Sequence, residues 1–265
     1  MQTMVSQRLS QAPWRILDLS YDSAFQNLAF EEALVRSDSN LAHTARVWVN
    51  PPAVIVGRFQ DVKSEIDLEL CERNNIQIAR RFTGGGAVYH DAGTLNFTIV
   101  KPTRPNLPFL ESYKLNASIV QNCLTLLGLN SEFVAPNSIE VSGRKICGAA
   151  AGVTRDYSLW HSSILVSTDL EILRRVLIPS RVSYGSSYVR SNWKPVVNLN
   201  DALGRNLSMA QVKESLLLSI EKISGAKPQL TRPTPAELGQ MHTLLNDKYS
   251  TYNWNRQGTP SAAQI

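Results

Sequence analysis

The sequence predicts an α/β protein of the α+β type, a mixed, largely antiparallel sheet flanked by helices. Three observations carry this. Short alternating or β-branched runs recur along the chain; amphipathic stretches with their own start and stop residues lie between and after them; Gly, Pro and Asn mark the joints. At 265 residues, 43% of them hydrophobic, the chain can bury one large core.

Residues 14–19 alternate as a strand, after which Ser20 or Asp22 is expected to cap a helix with Phe25, Leu28, Ala29 and Leu34 on its apolar side. Asn27 and Glu31 are i, i+4 neighbours there. Residues 45–49 and 53–56 read as strands joined by Asn50-Pro51-Pro52, and a helix is expected at about 67–74. Residues 76–79, 87–89 and 94–100 read as three further strands. A helix from about 111 to 127 stops at Gly128, a natural C-terminal glycine. Residues 139–141 and 145–147 flank Ser142-Gly143 as a hairpin, with the small-residue stretch GAAAG (148–152) beside them. A strand at 160–166, a helix at 169–177 and an amphipathic helix at 209–223 follow. Thr234-Pro235-Ala236-Glu237 opens a last helix with a capping box and Pro at its first position. The expected division is a flexible N-terminus at 1–12, one folded domain at 13–254 and a flexible tail at 255–265.

Composition excludes several classes. A net charge of +5 favours acidic partners, but with 18% charged residues and no long basic run the chain does not read as a nucleic-acid binder. The three cysteines, Cys71, Cys123 and Cys147, are widely spaced without a CxxC pair, so neither a zinc site nor a disulfide framework is indicated and a reducing compartment fits. No signal-peptide core and no run of about 20 apolar residues is present, so a cytoplasmic protein with no membrane partner is expected.

The most telling run is RRFTGGGAVYHDAGTLNF (80–97). Gly84, Gly85 and Gly86 leave backbone amides bare for a phosphate or carboxylate, and Arg80 and Arg81 bring positive charge to the same place. Its plainer reading is a tight hairpin corner. The loop lies between strands, has no GxGxxG opening a helix and no GxxxxGK[ST], and so differs from the common nucleotide loops.

RRFTGGGAVYHD (80–91), GRKICGAA (143–150), WHSSILVSTDL (160–170), NLAFEEAL (27–34) and GRFQ (57–60) together resemble the lipoate-protein ligase family, over about residues 14–254. The resemblance implies a biotin/lipoate-ligase-like catalytic domain and an adenylate-forming reaction. Lipoate and ATP with Mg²⁺, whose ligands the sequence leaves open, would give lipoyl-AMP and pyrophosphate, and a lysine of a lipoyl domain would then take the acyl group. Lys145 matches the family's essential lysine, where fixed charge offsets repulsion between carboxylate and α-phosphate. Arg81 matches the arginine that contacts the nucleotide. The triple glycine Gly84, Gly85 and Gly86 with Ala87, Val88 and Tyr89 matches the stretch lining the nucleotide and acyl pocket. His90 and His161 match pocket positions, each open to ligand contact or to a structural hydrogen bond. Asn137 matches a position near the phosphates, but Ser138 stands where an acidic residue often follows, so metal ligands stay unassigned.

The related octanoyl transferases need a nucleophilic cysteine, and neither of their positions carries one here. Cys147 is either a small apolar strand residue or a nucleophile. After Trp254-Asn255-Arg256-Gln257-Gly258-Thr259-Pro260 only five residues remain, where many family members continue into a small accessory domain. The resemblance therefore points to the large subunit of bipartite ligases, partnered by a separate small accessory subunit. The alternatives are a self-sufficient short form, a transferase that takes a preformed activated acyl group, or a non-catalytic nucleotide-binding module.

Overall fold

A computed structural model describes residues 13–37, 43–103, 107–178 and 188–257. The expected N-terminal segment 1–12 and the tail residues 258–265 lie outside the described residues. In chain order the strands are β1 (Trp14–Asp18), β2 (His43–Trp48), β3 (Ala53–Val56), β4 (Gln77–Arg80), β5 (Val88–His90), β6 (Thr94–Pro102), β7 (Glu132–Val134), β8 (Ser138–Val141), β9 (Arg144–Val153), β10 (Tyr157–Leu165) and β11 (Gln229–Leu230). The helices are α1 (Ala24–Arg36), α2 (Val62–Glu65), α3 (Leu68–Arg73), α4 (Phe109–Leu126), α5 (Leu170–Val176), α6 (Leu199–Leu203), α7 (Met209–Ser224), α8 (Pro235–Leu244) and α9 (Tyr252–Gln257), with a π-helical turn, Leu245–Tyr249, before α9.

Eight strands form one sheet in the order β11-β1-β2-β6-β10-β9-β8-β7, parallel only around β1 and otherwise antiparallel; β4-β3-β5 form a second, smaller sheet. Alternation along β6 shows how the layers assemble. Leu95, Phe97 and Ile99 turn to one face, where they pack with α4 and α7 around Trp160 and Tyr113. Thr94, Asn96 and Thr98 turn to the other face, toward α1 and the small sheet. A polar row on a buried sheet face is costly unless paired, so this stretch does more than pack, while Val100, next on the same face, joins a second core with Leu17, Leu159 and α1.

Several elements differ from the sequence expectation. Ser23, not Ser20 or Asp22, caps α1 by accepting from Phe25 N at 3.2 Å. The capping box of α8 forms as expected, Thr234 Oγ1 accepting from Glu237 N and Glu237 Oε2 from Thr234 N. The β8–β9 turn takes positive φ at Ser142 (50°) and Gly143 (71°), as a two-residue hairpin requires. The small-residue stretch GAAAG continues β9. The glycine run is not a hairpin corner, since β4 and β5 pair on opposite sides of β3 and the loop must cross its end. Short α2, α6 and the two-residue β11 carry no periodic signal long enough to read.

The chain is helical to Gln257, three residues past the expected edge of the tail, for a specific reason. Arg80 is fully buried and donates from Nε to Trp254 O at 2.9 Å, while its own N–H donates to Asn255 Oδ1 at 3.0 Å and its carbonyl accepts from Trp254 Nε1 at 2.8 Å. Its Nη1 donates to Gly57 O and Gln60 O, both at 2.8 Å. Arg80 therefore ties α9 to the GRFQ turn and does not bring charge to the glycine loop. Among the described residues no helix is long and apolar enough to cross a membrane.

Candidate active site

The polar face of the large sheet and the inner face of the small sheet enclose a cleft with two lobes. One lobe, about 90 Å³, reaches inward to Leu28, Trp48, Ile55, His90, Asn96 and His161. The other, about 100 Å³, runs outward along Tyr89, Leu165, Leu173, Leu177 and Trp193. They meet at Ala87, Val88, Lys145, Gly148, Ser191 and Lys194, which line both.

Strand register lays out the floor. Ser138 pairs with Gly148, Gly148 with Ser163, Ser163 with Asn96 and Asn96 with Trp48, one row across β8, β9, β10, β6 and β2. Lys145 joins this row through a β-bulge. Ile139 opposes Cys147 and Glu140 opposes Lys145, so Ile146 is the extra residue, and it turns Lys145 onto the face of Gly148. Without the bulge, residues three apart would point to opposite faces. Gly148 then leaves room, because a β-carbon there would stand 2.7 Å from Lys145 Nζ. Lys145 N donates to Pro195 O at 2.8 Å, which fixes the strand start against the 191–196 segment. Burial, with Lys194 and Arg81 nearby, pushes the Lys145 ammonium pKa down. Lys194 is held beside it by an ion pair with Glu140.

The glycine loop closes the cleft from the small-sheet side. Gly85 has φ of +91°, a conformation that favours glycine. Arg81 is 5% exposed and organises this loop: Nη2 donates to Gly84 O at 2.7 Å and Gly86 O at 2.8 Å, Nε to Thr83 Oγ1 at 3.1 Å, and Nη1 to Ile55 O at 3.2 Å. Only one of its five hydrogens remains for a ligand. Its charge still reaches the cleft, and burial pushes its pKa down to about 10. A β-carbon on Gly84 would stand 3.7 Å from the Phe59 ring, Ala87 N donates to Ser191 Oγ at 2.9 Å, and Gln60 Nε2 donates to the same oxygen at 3.0 Å.

Both histidines are held by protein groups on both ring nitrogens. His161 faces the Glu31 carboxylate through Nδ1 at 3.1 Å and Thr83 Oγ1 through Nε2 at 2.8 Å, so β10 anchors the loop to α1. Burial alone would raise the Glu31 carboxyl pKa, but His161, the Thr98 hydroxyl and Arg46 together hold it below its usual value. His90 contacts Asn50 through Nδ1 at 3.0 Å and Ser163 through Nε2 at 2.8 Å. Burial, with Arg81 nearby, pushes its pKa down to about 3, so the ring is neutral at pH 7. Each histidine thus makes the structural bonds while lining the inner lobe.

The structure brings together Lys145, Arg81, Gly86, Ala87, Val88, His90, Asn137 and His161 around the inner lobe, with Tyr89 on the outer one. Gly84 and Gly85 shape the loop behind them. Sequence reasoning missed Lys194, Ser191, Asn96, Ser163 and the role of Glu31. A lone Asn in the apolar run TLNFTIV was the available signal for one of these. Among the described residues no group of three or more His, Cys, Asp or Glu is placed to hold a metal ion. Cys147 is 1% exposed, and burial pushes its thiol up to about 12, which suppresses the nucleophilic thiolate. Cys71 and Cys123 are buried as well.

The profile of the lipoyl protein ligase A/B catalytic domain matches residues 23–221. Lipoate-protein ligase A subunit 1 of Thermoplasma acidophilum is 30% identical over 240 residues, covering 86% of this chain and 90% of that protein. Octanoyltransferase LipM of Geobacillus kaustophilus is 28% identical over 275 residues, covering 93% and 99%. Among solved structures, a bi-partite lipoate protein ligase from Thermoplasma acidophilum, described with its E2 lipoyl domain, superposes with a TM-score of 0.83 at 29% identity over 95% of this chain and 99% of that one. A lipoate-protein ligase A bound with ATP gives 0.81 at 29% identity, over 92% and 98%.

Proposed function

The chain belongs to the lipoyl protein ligase A/B catalytic-domain family, and from that premise we propose that it is the catalytic subunit of a lipoate-protein ligase that forms lipoyl-AMP and passes the lipoyl group to a lysine of a lipoyl domain. The observation that carries this reading is the meeting of the two lobes at Lys145. An acyl chain in the inner lobe and a nucleotide in the outer one bring carboxylate and α-phosphate together beside that ammonium.

In the first step a carboxylate oxygen bonds to the α-phosphorus and the bond to the β-phosphate oxygen breaks, releasing pyrophosphate. Two anions must approach each other. Lys145, with Lys194 beside it and the Arg81 charge behind the loop, offsets that repulsion in a partly dehydrated site where such charges count for more than in water. In the second step the acceptor amine bonds to the acyl carbon and AMP leaves. The same ammonium faces the charge that develops on the carbonyl and on the departing phosphate. Gly86 and Ala87 line the inner lobe with main chain that Arg81 and Ser191 hold in place.

Mg²⁺ would arrive with the triphosphate. It commonly binds through one or two carboxylates plus substrate phosphates, and Glu65, which accepts from Ser191 N, and Glu140, which pairs with Lys194, are the carboxylates beside this junction that would hold it. The Thermoplasma relative is named as one subunit of a bipartite ligase. That supports a separate small partner for the adenylation step and a lipoyl domain as acceptor.

A second reading is transfer of octanoyl from a preformed activated donor, favoured by the LipM relatives. A thioester route needs an accessible thiolate, and all three cysteines are buried. Pyrophosphate release from ATP and lipoate, measured with and without a second-subunit protein, separates the two. Lipoate-dependent release supports the ligase. Octanoyl transfer from a thioester donor, with no release under either condition, removes it.

A further inference from the structure

A chain of buried hydrogen bonds ends in an N–H for which the described residues supply no acceptor. Its direction is fixed at the far end. Arg46 Nη2 and Tyr21 N both donate to Asn27 Oδ1, so Asn27 Nδ2 must be the atom facing Asn50, whose Oδ1 accepts at 2.9 Å. Asn50 then presents Nδ2 to His90 Nδ1 at 3.0 Å, and that nitrogen accepts. His90 consequently carries its proton on Nε2 and donates to Ser163 Oγ at 2.8 Å, and Ser163 donates to Asn96 Oδ1 at 2.8 Å. Asn96 is 1% exposed, lines the inner lobe, and its Nδ2 has no partner. Because an arginine can only donate, the sense of the chain is fixed as far as Ser163, whose hydroxyl accepts from His90 and gives its one proton to Asn96 Oδ1, which leaves Nδ2 facing the lobe.

The position of this donor identifies what it meets. Asn96 and Gly148, over which Lys145 Nζ lies, are two strands apart in one row, so about 9.5 Å separates them at ~4.8 Å per strand. With the acyl carbonyl at Lys145, a staggered five-carbon chain of ~1.5 Å bonds puts the next ring atoms about 8 Å away. In a lipoyl group those atoms include sulfur, a weak acceptor; in an octanoyl group they are hydrocarbon.

We propose that the free N–H of Asn96 donates to a ring sulfur of the bound acyl chain and so selects a dithiolane over a plain fatty acyl group. This rests on the reading of the cleft as an acyl-adenylate site. The selection works chiefly by exclusion, since a saturated chain leaves a buried donor unpaired while the dithiolane does not.

The test supplies three preformed acyl-adenylates to the full chain with a lipoyl-domain acceptor: lipoyl, octanoyl and 5-cyclopentylpentanoyl, the last keeping ring shape without sulfur. The wild type is expected to prefer lipoyl over both others by about tenfold in kcat/KM, and Asn96→Leu to bring all three within about twofold. Equal use of lipoyl and 5-cyclopentylpentanoyl by the wild type overturns the proposal without any variant, as does an Asn96→Leu protein that keeps the tenfold ratio. Should Asn96→Leu not fold, the wild-type comparison of the two rings decides alone. Transfer of none of the three acyl groups overturns the underlying reading of the cleft, a result distinct from transfer without discrimination.

Discussion

Lys145 Nζ lies over Gly148, 2.7 Å from the place a β-carbon on that glycine would occupy. The bulge at Ile146 creates this relationship, and the glycine permits it. Gly148→Ala should therefore displace the end of a flexible side chain and leave the backbone in place. Thermal unfolding is expected to change little, while acyl transfer falls roughly 100-fold, the scale of a one-ångström misplacement of a reacting group. Differential scanning fluorimetry beside transfer kinetics checks the pair, and an equal fall in both would make the contact merely structural.

Gly85→Val combines a branched side chain with φ of +91° and a β-carbon 2.9 Å from Arg81 Nη2. The loop should lose its Arg81 bonds, and affinity for ATP and lipoyl-AMP should drop by tenfold or more, at a stability cost of about 1–3 kcal/mol. Calorimetric titration reads the affinity. Unchanged binding would reduce the loop to a turn.

His90 gives a pH dependence of stability with a definite sign. Its folded pKa, about 3, lies below the ordinary value of 6.5, so between these pH values the unfolded chain binds a proton that the folded chain does not. Stability should fall as pH drops below 6.5, by about 1.4 kcal/mol per unit from this group. Denaturant unfolding of wild type and His90→Gln between pH 7 and pH 4 should show the variant's slope shallower by about one proton. Parallel slopes would mean that the ring is protonated in the folded state.

Cys147 should be chemically silent. Cys147→Ala is expected to keep most transfer activity, and intact-mass spectrometry of the wild type with an acyl donor to show no thioester. An acyl adduct at Cys147 would place the protein with the transferases.

Much of this site was legible because it sits in contiguous stretches. The glycine run, Lys145 and both histidines each stand in a motif readable in order. Lys194, Ser191, Asn96 and Ser163 were not, because their roles arise from pairing: Trp48, Asn96, Ser163, Gly148 and Ser138 form one row only once β2, β6, β10, β9 and β8 are side by side. Local pattern marked GAAAG only as a run of small residues; that they belong to a strand which must leave space above it shows once β9 lies between β8 and β10. Arg80 and Arg81 looked alike as two adjacent cations. Arg80 ends β4 and Arg81 begins the loop after it, so they take different tasks, one tying down α9 and the other shaping the glycine loop.

The central claim is that both half-reactions pass through Lys145 at the junction of the two lobes, and transfer from preformed lipoyl-AMP tests it most directly, because that step starts from the adenylate and bypasses its formation. The purified chain, mixed with lipoyl-AMP and a lipoyl domain, is expected to lipoylate the domain, with Lys145→Ala folded but slower by two to three orders of magnitude, about the loss seen when one charge-stabilising donor is removed. A folded Lys145→Ala protein that transfers lipoate at the wild-type rate would contradict the account.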